Sequence, residues 1–388
     1  MILGSERWRK LDIEMVDKER IGFMKKRSRA ARSAFTLALT VALTLVAACG
    51  GGGNNEPAQR TTEPEKSASE APEETMKPDA PLTKVKIQLK WVPQAQFAGI
   101  FTAKEKGFYE EEGLDVEIIP GGPDVVIEQQ VVNGAADIGV TSFDSLLVNR
   151  DNGLPLVSVA QVLQKSSYRF VASKESGIDS PHKMKGKKVG MWTGSQQFQV
   201  LAFMEKNGLD PAKDVELVKQ GFTMDQFFNK QLDVAVSTIY NEYHVVLESG
   251  VKEEDLYVYD FEDAGVGMLE DTLIVKEDWL KNNRETAVKA IRATMKGWNY
   301  AIANQAESVD IVMAAVTEGS TTKEHQTTML MEMAKLIKPE GFTDGQVGLF
   351  VDDAVRRTVD IALKYGLIKK EPDLAAAMDK SILEDAAK

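Results

Sequence analysis

The feature that most constrains the fold of this chain is a pattern of residues that occurs twice. An Asn followed four residues later by Asp, then by an apolar run ending in two hydroxyl residues, begins at Asn133 and again at Asn229. A strand-like segment that ends in tryptophan, with glutamines behind it, begins near Leu89 and again at Gly190. These pairs are 96 and 101 residues apart. The repeat predicts two similar lobes that face each other across a cleft.

Each half of the repeat alternates between strand and helix patterns. Residues 85–89 alternate between apolar and polar side chains, and residues 97–106 have the pattern of a helix that ends at Gly107. The second half repeats this plan with a strand over 188–191 and a helix over 196–207. Alternation of this kind predicts the α/β class, with a mixed, largely parallel sheet flanked by helices in each lobe.

The last third of the chain is expected to return to the first lobe. Residues 272–275 have the pattern of a crossing strand, and residues 283–380 are predicted to be mainly helical because their apolar residues recur every three or four positions. The predicted division is lobe 1 over 84–170, lobe 2 over 171–267, and the return to lobe 1 with the C-terminal helices over 268–388.

The first 48 residues have the features of a secretory signal peptide. Basic residues follow Met24, and the uncharged stretch 34–48 is 15 residues long, shorter than the ~20 that a membrane-spanning helix needs. Small residues directly before Cys49 resemble the bacterial lipobox, so we expect Cys49 to be lipidated. A complete signal starts at Met24, which is therefore a candidate start of translation. Residues 49–83 are predicted to be a disordered tether.

The distribution of charge and the few potential metal ligands exclude several classes of protein. The net charge is -12, and the first 48 residues carry +5, which leaves -17 for the remainder. A surface this acidic argues against a nucleic-acid partner. Cys49 is the only cysteine, so no internal disulfide and no cysteine-rich metal site can form. His182, His244 and His325 have no metal-ligand spacing, and we expect no metal, no cofactor and no catalytic residue.

Candidate binding residues follow the predicted strands, because ligands of open α/β sheets lie beyond the carboxyl ends of the strands. Trp91 and Trp192 could stack on the two faces of a flat heterocycle, and the nearby amides could bond its ring edge. The alternatives are that either tryptophan is core, and that the hydroxyl residues only cap helices. The predicted ligand-binding residues are Trp91, Gln94, Gln96, Phe97, Thr141, Ser142, Trp192, Thr193, Gly194, Gln196, Tyr240, Asn241 and Glu242.

Several segments together resemble one family of proteins. They are residues 91–99, 103–116, 120–124, 133–137, 240–242 and 296–301. In these segments the chain resembles solute-binding proteins related to the thiamine-pyrimidine synthases and the alkanesulfonate-binding proteins, over roughly residues 84 to 365. The resemblance implies a type II periplasmic-binding-protein-like fold, with two lobes joined by two crossover segments. Within the family it is greatest to binding lipoproteins for riboflavin or thiamine-pyrimidine precursors.

The resemblance and the lipobox together predict an extracytoplasmic, membrane-anchored lipoprotein of an ABC importer. We expect a monomer that hands riboflavin or a thiamine pyrimidine to a membrane permease and its ATPase. The first alternative is an alkanesulfonate or taurine-binding protein, although the candidate loops contain no Arg. The second is a pyrimidine synthase; the resemblance implies a cysteine cluster for such enzymes, and this chain has only Cys49. A sensor or adhesion lipoprotein is the third.

Overall fold

The computed structural model describes residues 81–122, 124–193, 197–221 and 223–388. The predicted signal peptide, Cys49 and most of the tether lie outside the described residues. The strands are β1 (Thr83–Gln88), β2 (Leu114–Ile119), β3 (Ile138–Thr141), β4 (Leu156–Gln161), β5 (Tyr168–Ser173), β6 (Lys188–Met191), β7 (Glu216–Lys219), β8 (Ala235–Thr238), β9 (Leu256–Asp260) and β10 (Thr272–Lys276). No helix among the described residues is long and apolar enough to cross a membrane.

The first sheet has five strands in the order β2-β1-β3-β10-β4. Strands β2, β1 and β3 are parallel, and β10 runs antiparallel to both of its neighbours. In β1 the side chains of Val85 and Ile87 are buried while Lys86 between them is exposed, which is the alternation of a strand with one covered face. Every residue of β3 and β4 is buried, because helices cover both faces of the middle of the sheet.

The second set of strands repeats this order. Strand β5 pairs antiparallel with β8 and β9, and β6 pairs parallel with β7. A parallel bridge between Val189 and Val234 connects β6 to the residue that precedes β8. The resulting order, β7-β6-β8-β5-β9, matches that of the first sheet position by position. We call the first sheet with its helices lobe 1 and the second set of strands with its helices lobe 2.

The repeat extends to individual hydrogen bonds. The backbone N–H of Lys86 donates to the Asp137 carboxylate over 2.8 Å, and the N–H of Lys188 donates to Asp233 over the same distance. Each Asp follows the Asn of the repeated motif by four residues and fixes the turn into its strand. The internal repeat predicted from the sequence is therefore confirmed as a structural repeat.

Helices flank both lobes and begin where the strands end. They are α1 (Ala98–Glu105), α2 (Phe108–Glu111), α3 (Ile127–Val132), α4 (Phe143–Asp151), α5 (Phe198–Lys206), α6 (Asp225–Phe228), α7 (Glu242–Glu248), α8 (Glu277–Asn282), α9 (Arg284–Ala303), α10 (Gln305–Ala315), α11 (Lys323–Ile337), α12 (Asp352–Lys364), α13 (Leu374–Ala377) and α14 (Lys380–Ala386). The predicted helical character of residues 283–380 is confirmed.

Two segments carry the chain between the lobes. The first crossover, residues 162–167, leads from β4 to β5, and the second crossover, residues 261–271, leads from β9 to β10. The segments are in contact, because the N–H of Val162 donates to the carbonyl of Asp271 over 2.9 Å. The first strand after each crossover, β5 in lobe 2 and β10 in lobe 1, is therefore the one that runs antiparallel to its neighbours. The predicted boundary at 170/171 stays a prediction, and it falls inside β5.

Helix α1, which follows the loop at the end of β1, is held in place by an unusually close approach of α9. A Cβ added at Gly297 would lie 2.1 Å from the carbonyl oxygen of Gly99, and one added at Gly99 would lie 2.2 Å from the ring of Trp298. Only glycine permits such an approach of two helix backbones. Trp298 is fully buried against this crossing. Helix α1, which supports the loop at the end of β1, is therefore a rigid part of the core.

Candidate ligand-binding site

A cavity lies between the lobes at the ends of the strands. It is lined by Lys90, Trp91, Gln94, Gln96, Tyr168, Trp192, Thr238, Tyr240 and Glu242. Four of these residues follow β1, one follows β6 and two follow β8, so equivalent strand ends of the two lobes supply most of the lining. This is the position in which α/β sheets bind ligands. The space left between these side chains is about 10 Å³, roughly the requirement of one water molecule.

Two tryptophans from opposite lobes contact each other in this cavity. The ring centroids of Trp91 and Trp192 are 5.9 Å apart at an interplanar angle of 63°, an edge-to-face arrangement. Both side chains are at least 95% buried. Tyr168 packs edge-on against Trp192 with centroids 5.6 Å apart. In this arrangement the indoles touch, so a planar ring could enter between them only after they separate and turn face to face.

A chain of hydrogen bonds runs along the lobe 1 side of the cavity. The Gln94 amide N–H donates to Gln96 Oε1 over 2.8 Å, and Gln96 Nε2 donates to both oxygens of Asp271 over 3.0 and 3.2 Å. Lys90 Nζ lies 2.5 Å from Asp271 Oδ1, and both side chains are buried. Asp271 adopts a φ of +49°, which is costly for a residue with a Cβ. The second crossover is thus held in a strained backbone conformation that aims a carboxylate at the cavity wall.

Glu270 connects the two crossover segments. It is fully buried and accepts hydrogen bonds from the N–H and the hydroxyl of Ser167 over 2.6 and 2.7 Å. The hydroxyl of Ser166 lies 3.0 Å and Gln199 Nε2 lies 3.3 Å from the same carboxylate. Burial raises the pKa of Glu270 despite the nearby ammonium of Lys90. One carboxylate therefore organises both crossovers and the start of α5.

Asp144 is a second buried carboxyl group near Lys90. Burial raises its pKa to about 7, although the Ser142 side chain and the Ser145 N–H bond its charged form. Because the folded-state pKa lies above the ordinary value of an aspartic acid, 3.8, the protonated group stabilises the fold, and this contribution is lost as pH rises from about 4 through about 7. Between pH 5 and 8 we expect a loss of roughly 3 kcal/mol from this group.

This loss predicts how Asp144→Asn changes stability. The difference in free energy of unfolding between D144N and the wild type should move by roughly 3 kcal/mol in favour of D144N from pH 5 to pH 8. Urea denaturation at the two pH values measures it, and titrating groups that do not interact with Asp144 cancel in the comparison. A difference that is the same at both pH values would show that Asp144 is ionised in the folded protein at pH 5.

His325 of α11 bridges the lobes next to the cavity. Its Nε2 lies 2.9 Å from Asn241 Oδ1, and its Nδ1 lies 2.9 Å from Glu248 Oε2 of α7. Asn241 Nδ2 in turn donates to Glu242 Oε1 over 2.9 Å, and Glu242 lines the cavity. The imidazole therefore connects α11 of lobe 1 to Asn241 and Glu248 of lobe 2. No binding role for this histidine was predicted from the sequence.

We expect His325→Ala to weaken ligand binding roughly tenfold, because the variant loses two hydrogen bonds that exist only while the lobes are together. Isothermal titration calorimetry at pH 7 measures the affinity. His182→Ala is the matched control, since His182 is exposed in lobe 2. Affinity of H325A equal to that of H182A would mean that this bridge does not contribute to closure.

The structure brings together six of the predicted site residues and separates the others. Trp91, Gln94, Gln96, Trp192, Tyr240 and Glu242 line the cavity. Asn241 lies behind Glu242. Phe97 is buried, and the Thr141 hydroxyl bonds the buried Glu128 rather than facing the cavity. Ser142 precedes α4 and its side chain makes no capping bond there.

Three further predicted residues receive no support from the cavity lining. Thr193 is half-buried and does not line the cavity. Gly194 and Gln196 lie outside the described residues, as does the predicted lipidation site Cys49. Among the described residues, no group of three or more His, Cys, Asp or Glu side chains is arranged to hold a metal ion.

The charged part of the site was not among the predicted binding residues. Lys90 precedes Trp91 directly, and Glu270 and Asp271 stand between an apolar segment and the crossing strand β10. Charged residues inside buried runs are rare unless they are paired. That signal was present in the sequence, but it did not reveal that Lys90 and Asp271 are partners. Tyr168, the first residue of β5, also lines the cavity and was not among the predicted site residues.

Comparison with known proteins agrees with this architecture. The profile described as NMT1/THI5 like matches residues 94–308, which is more than half of the chain. The chain belongs to the NMT1/THI5-like family. The family match covers most of lobe 1 and all of lobe 2, including the cavity-lining residues from Gln94 to Glu242. The family resemblance predicted from the sequence is therefore confirmed.

Proteins similar to this chain include some named as binding proteins and some named as enzymes. The formylaminopyrimidine-binding protein of Halalkalibacterium halodurans is 27% identical over 70% of this chain and 83% of its own length. The riboflavin-binding protein RibY of Chloroflexus aurantiacus is 26% identical over 83% of this chain and 91% of its own length. A 4-amino-5-hydroxymethyl-2-methylpyrimidine phosphate synthase of Saccharomyces cerevisiae is 26% identical over 57% of this chain and 68% of its own length.

Solved structures confirm the two-lobe periplasmic-binding-protein-like fold. The ligand-binding component of an ABC-type import system from Staphylococcus aureus superposes with a TM-score of 0.60 over 78% of this chain and 99% of its own, at 11% identity. The periplasmic aliphatic sulphonate binding protein SsuA from Escherichia coli gives 0.57 over 76% of this chain and 92% of its own, at 16% identity. At these identities the likeness concerns the fold alone.

Proposed function

We propose that the chain is the extracytoplasmic solute-binding protein of an ABC importer and binds a planar heterocycle, either riboflavin or a thiamine pyrimidine. The observation that carries the proposal is the meeting of Trp91 and Trp192, one from each lobe, in a cavity at the strand ends. Two aromatic faces that can take a flat ring between them fit such a solute. Relatives named for formylaminopyrimidine and for riboflavin support the same class.

Binding proceeds by closure of the lobes. The described arrangement leaves almost no free space between the tryptophans, so the lobes open to admit the solute and close on it. The two crossover segments are the natural hinge, because they are the connections between the strand sets. Closure favours the liganded state only if the solute contacts both lobes, which the pair Trp91 and Trp192 provides.

The sequence supports a proposed membrane attachment. The signal-peptide pattern and the lipobox-like residues before Cys49 support a location on the outer face of a cell membrane, with a lipid on Cys49 as the proposed anchor. The tether over residues 49–83 gives the monomer reach to a permease, which is driven by a cytoplasmic ATPase. The export signal and the lack of any cysteine in residues 84–388 oppose a synthase role, so the proposal is a transport protein and not an enzyme.

The absorbance spectrum of the freshly purified protein tests the choice of solute. A yellow sample with flavin bands is expected if riboflavin is the ligand. A colourless sample is then screened by thermal shift with riboflavin, 4-amino-5-hydroxymethyl-2-methylpyrimidine and taurine. Stabilisation by a pyrimidine or a flavin supports the proposal. Stabilisation by taurine alone would contradict it and favour the sulfonate-binding alternative.

A further inference from the structure

The lysine in the cavity wall has more hydrogen-bond donors than acceptors to receive them among the described residues. The Lys90 ammonium carries three N–H groups, and Asp271 is its only hydrogen-bond or ion-pair partner among the described residues. Lys90 is 3% exposed and lines the cavity. Buried N–H donors are costly when they lack an acceptor. Two of the N–H groups of Lys90 are therefore available to a molecule in the cavity.

Two tyrosine hydroxyls are available in the same way. Tyr168 and Tyr240 line the cavity and are each 3% exposed. Within the described part of the chain, neither hydroxyl has a hydrogen-bond partner. The amide chain adds a single acceptor, because Gln94 Nε2 donates to Gln96 and leaves Oε1 of Gln94 unused among the described residues. The cavity therefore offers several donors and one amide acceptor to a bound molecule.

The charges around these donors decide which molecules the cavity accepts. Four carboxyl groups act electrostatically on Tyr168, namely those of Asp144, Glu242, Glu270 and Asp271. Lys90 is the only Lys or Arg in the described cavity lining, and Asp271 already neutralises it at 2.5 Å. A buried sulfonate or phosphate needs an unopposed cation or bidentate Arg. An anion in this cavity would find no unopposed cation, because Asp271 already pairs with Lys90.

We infer that Lys90, held by Asp271, is the specificity-determining residue of the cavity: it donates to a carbonyl oxygen or ring nitrogen of an uncharged heterocycle and does not serve anions. Asp271 and Gln96 act as positioning residues, since they fix the ammonium through the hydrogen bonds described above. This inference rests on the proposed function and narrows it. An ammonium in this position selects heterocycles whose ring edge carries a hydrogen-bond acceptor. Flavins and formylated or hydroxymethylated pyrimidines share this feature.

The test compares paired variants by isothermal titration calorimetry. The double variant K90M/D271N removes the ammonium and its counter-charge together, so no unpaired charge stays buried. The probes are riboflavin, 4-amino-5-hydroxymethyl-2-methylpyrimidine and taurine. K104M is the matched control, because Lys104 is an exposed lysine of α1. Thermal denaturation of each variant confirms that it is folded.

The wild type and K104M should bind at least one heterocycle and should not bind taurine at about 1 mM. K90M/D271N should bind that heterocycle at least about tenfold more weakly. Unchanged affinity of the folded double variant, or taurine bound by the wild type as tightly as the heterocycle, would overturn the role of Lys90 while leaving solute binding intact. A wild type that binds neither heterocycle would overturn the proposed function and this inference with it.

Discussion

Replacing Trp91 or Trp192 with alanine should weaken solute binding by at least about tenfold, and the double variant should show no measurable binding in calorimetry. Each indole contributes one face of the cavity, and the two come from different lobes. A variant that lacks one indole loses stacking on one side of the solute and also the aromatic contact that accompanies closure. Most of the loss is expected in the dissociation rate, since the lobes reopen more readily.

The control for these variants is another tryptophan outside the cavity. Trp279 of α8 is half-buried and does not line the cavity, so W279A should keep wild-type affinity. Circular dichroism and thermal denaturation establish that the variants fold. Affinity unchanged in both W91A and W192A would remove the stacking account, whatever solute the protein carries.

Glu270→Ala should lower the free energy of unfolding by about 3 kcal/mol or more, the largest stability effect that we expect from a single substitution near the cavity. The alanine leaves the N–H and hydroxyl of Ser167 and the Gln199 amide without their buried acceptor. Because these groups lie on both crossovers and on α5, the loss also loosens the hinge. Urea denaturation at pH 7 measures the change.

Two comparisons make the Glu270 result interpretable. E270Q keeps an acceptor oxygen and, since burial raises the pKa of Glu270, it also removes a charge that the site disfavours; its loss should be about 1 kcal/mol. E254A removes a carboxylate from an exposed pair with Lys252 and should change stability by less than about 0.5 kcal/mol. If E270A is no less stable than E254A, the carboxylate does not organise the crossovers.

The repeated motif carried most of what the sequence could reveal about the fold. Strands β1, β3, β6 and β8 were recognisable because each contributes to that motif, and the crossing strand β10 had its own apolar pattern. Strands β4, β5 and β9 were not among those predicted. In β4 every residue is buried, so the strand lacks the alternation that identifies a half-covered strand.

The aromatic and amide part of the site was predictable for the same reason. Trp91 and Trp192 follow equivalent strands, so the repeat alone placed them at one cleft. The charged part of the site was not predictable, because Lys90 and Asp271 are distant in sequence and meet only when the second crossover returns to lobe 1. His325 was missed similarly, since both of its partners belong to the other lobe. Contacts between segments that are distant in sequence leave no local pattern in the sequence.

A crystal structure of the protein with the solute chosen by thermal shift tests the central claim most directly. The account predicts that the solute's planar ring lies between Trp91 and Trp192, with ring atoms within about 4 Å of both indoles and a polar edge within hydrogen-bond distance of Lys90 Nζ. A solute bound elsewhere, or touching only one of the two tryptophans while the lobes stay apart, would contradict it.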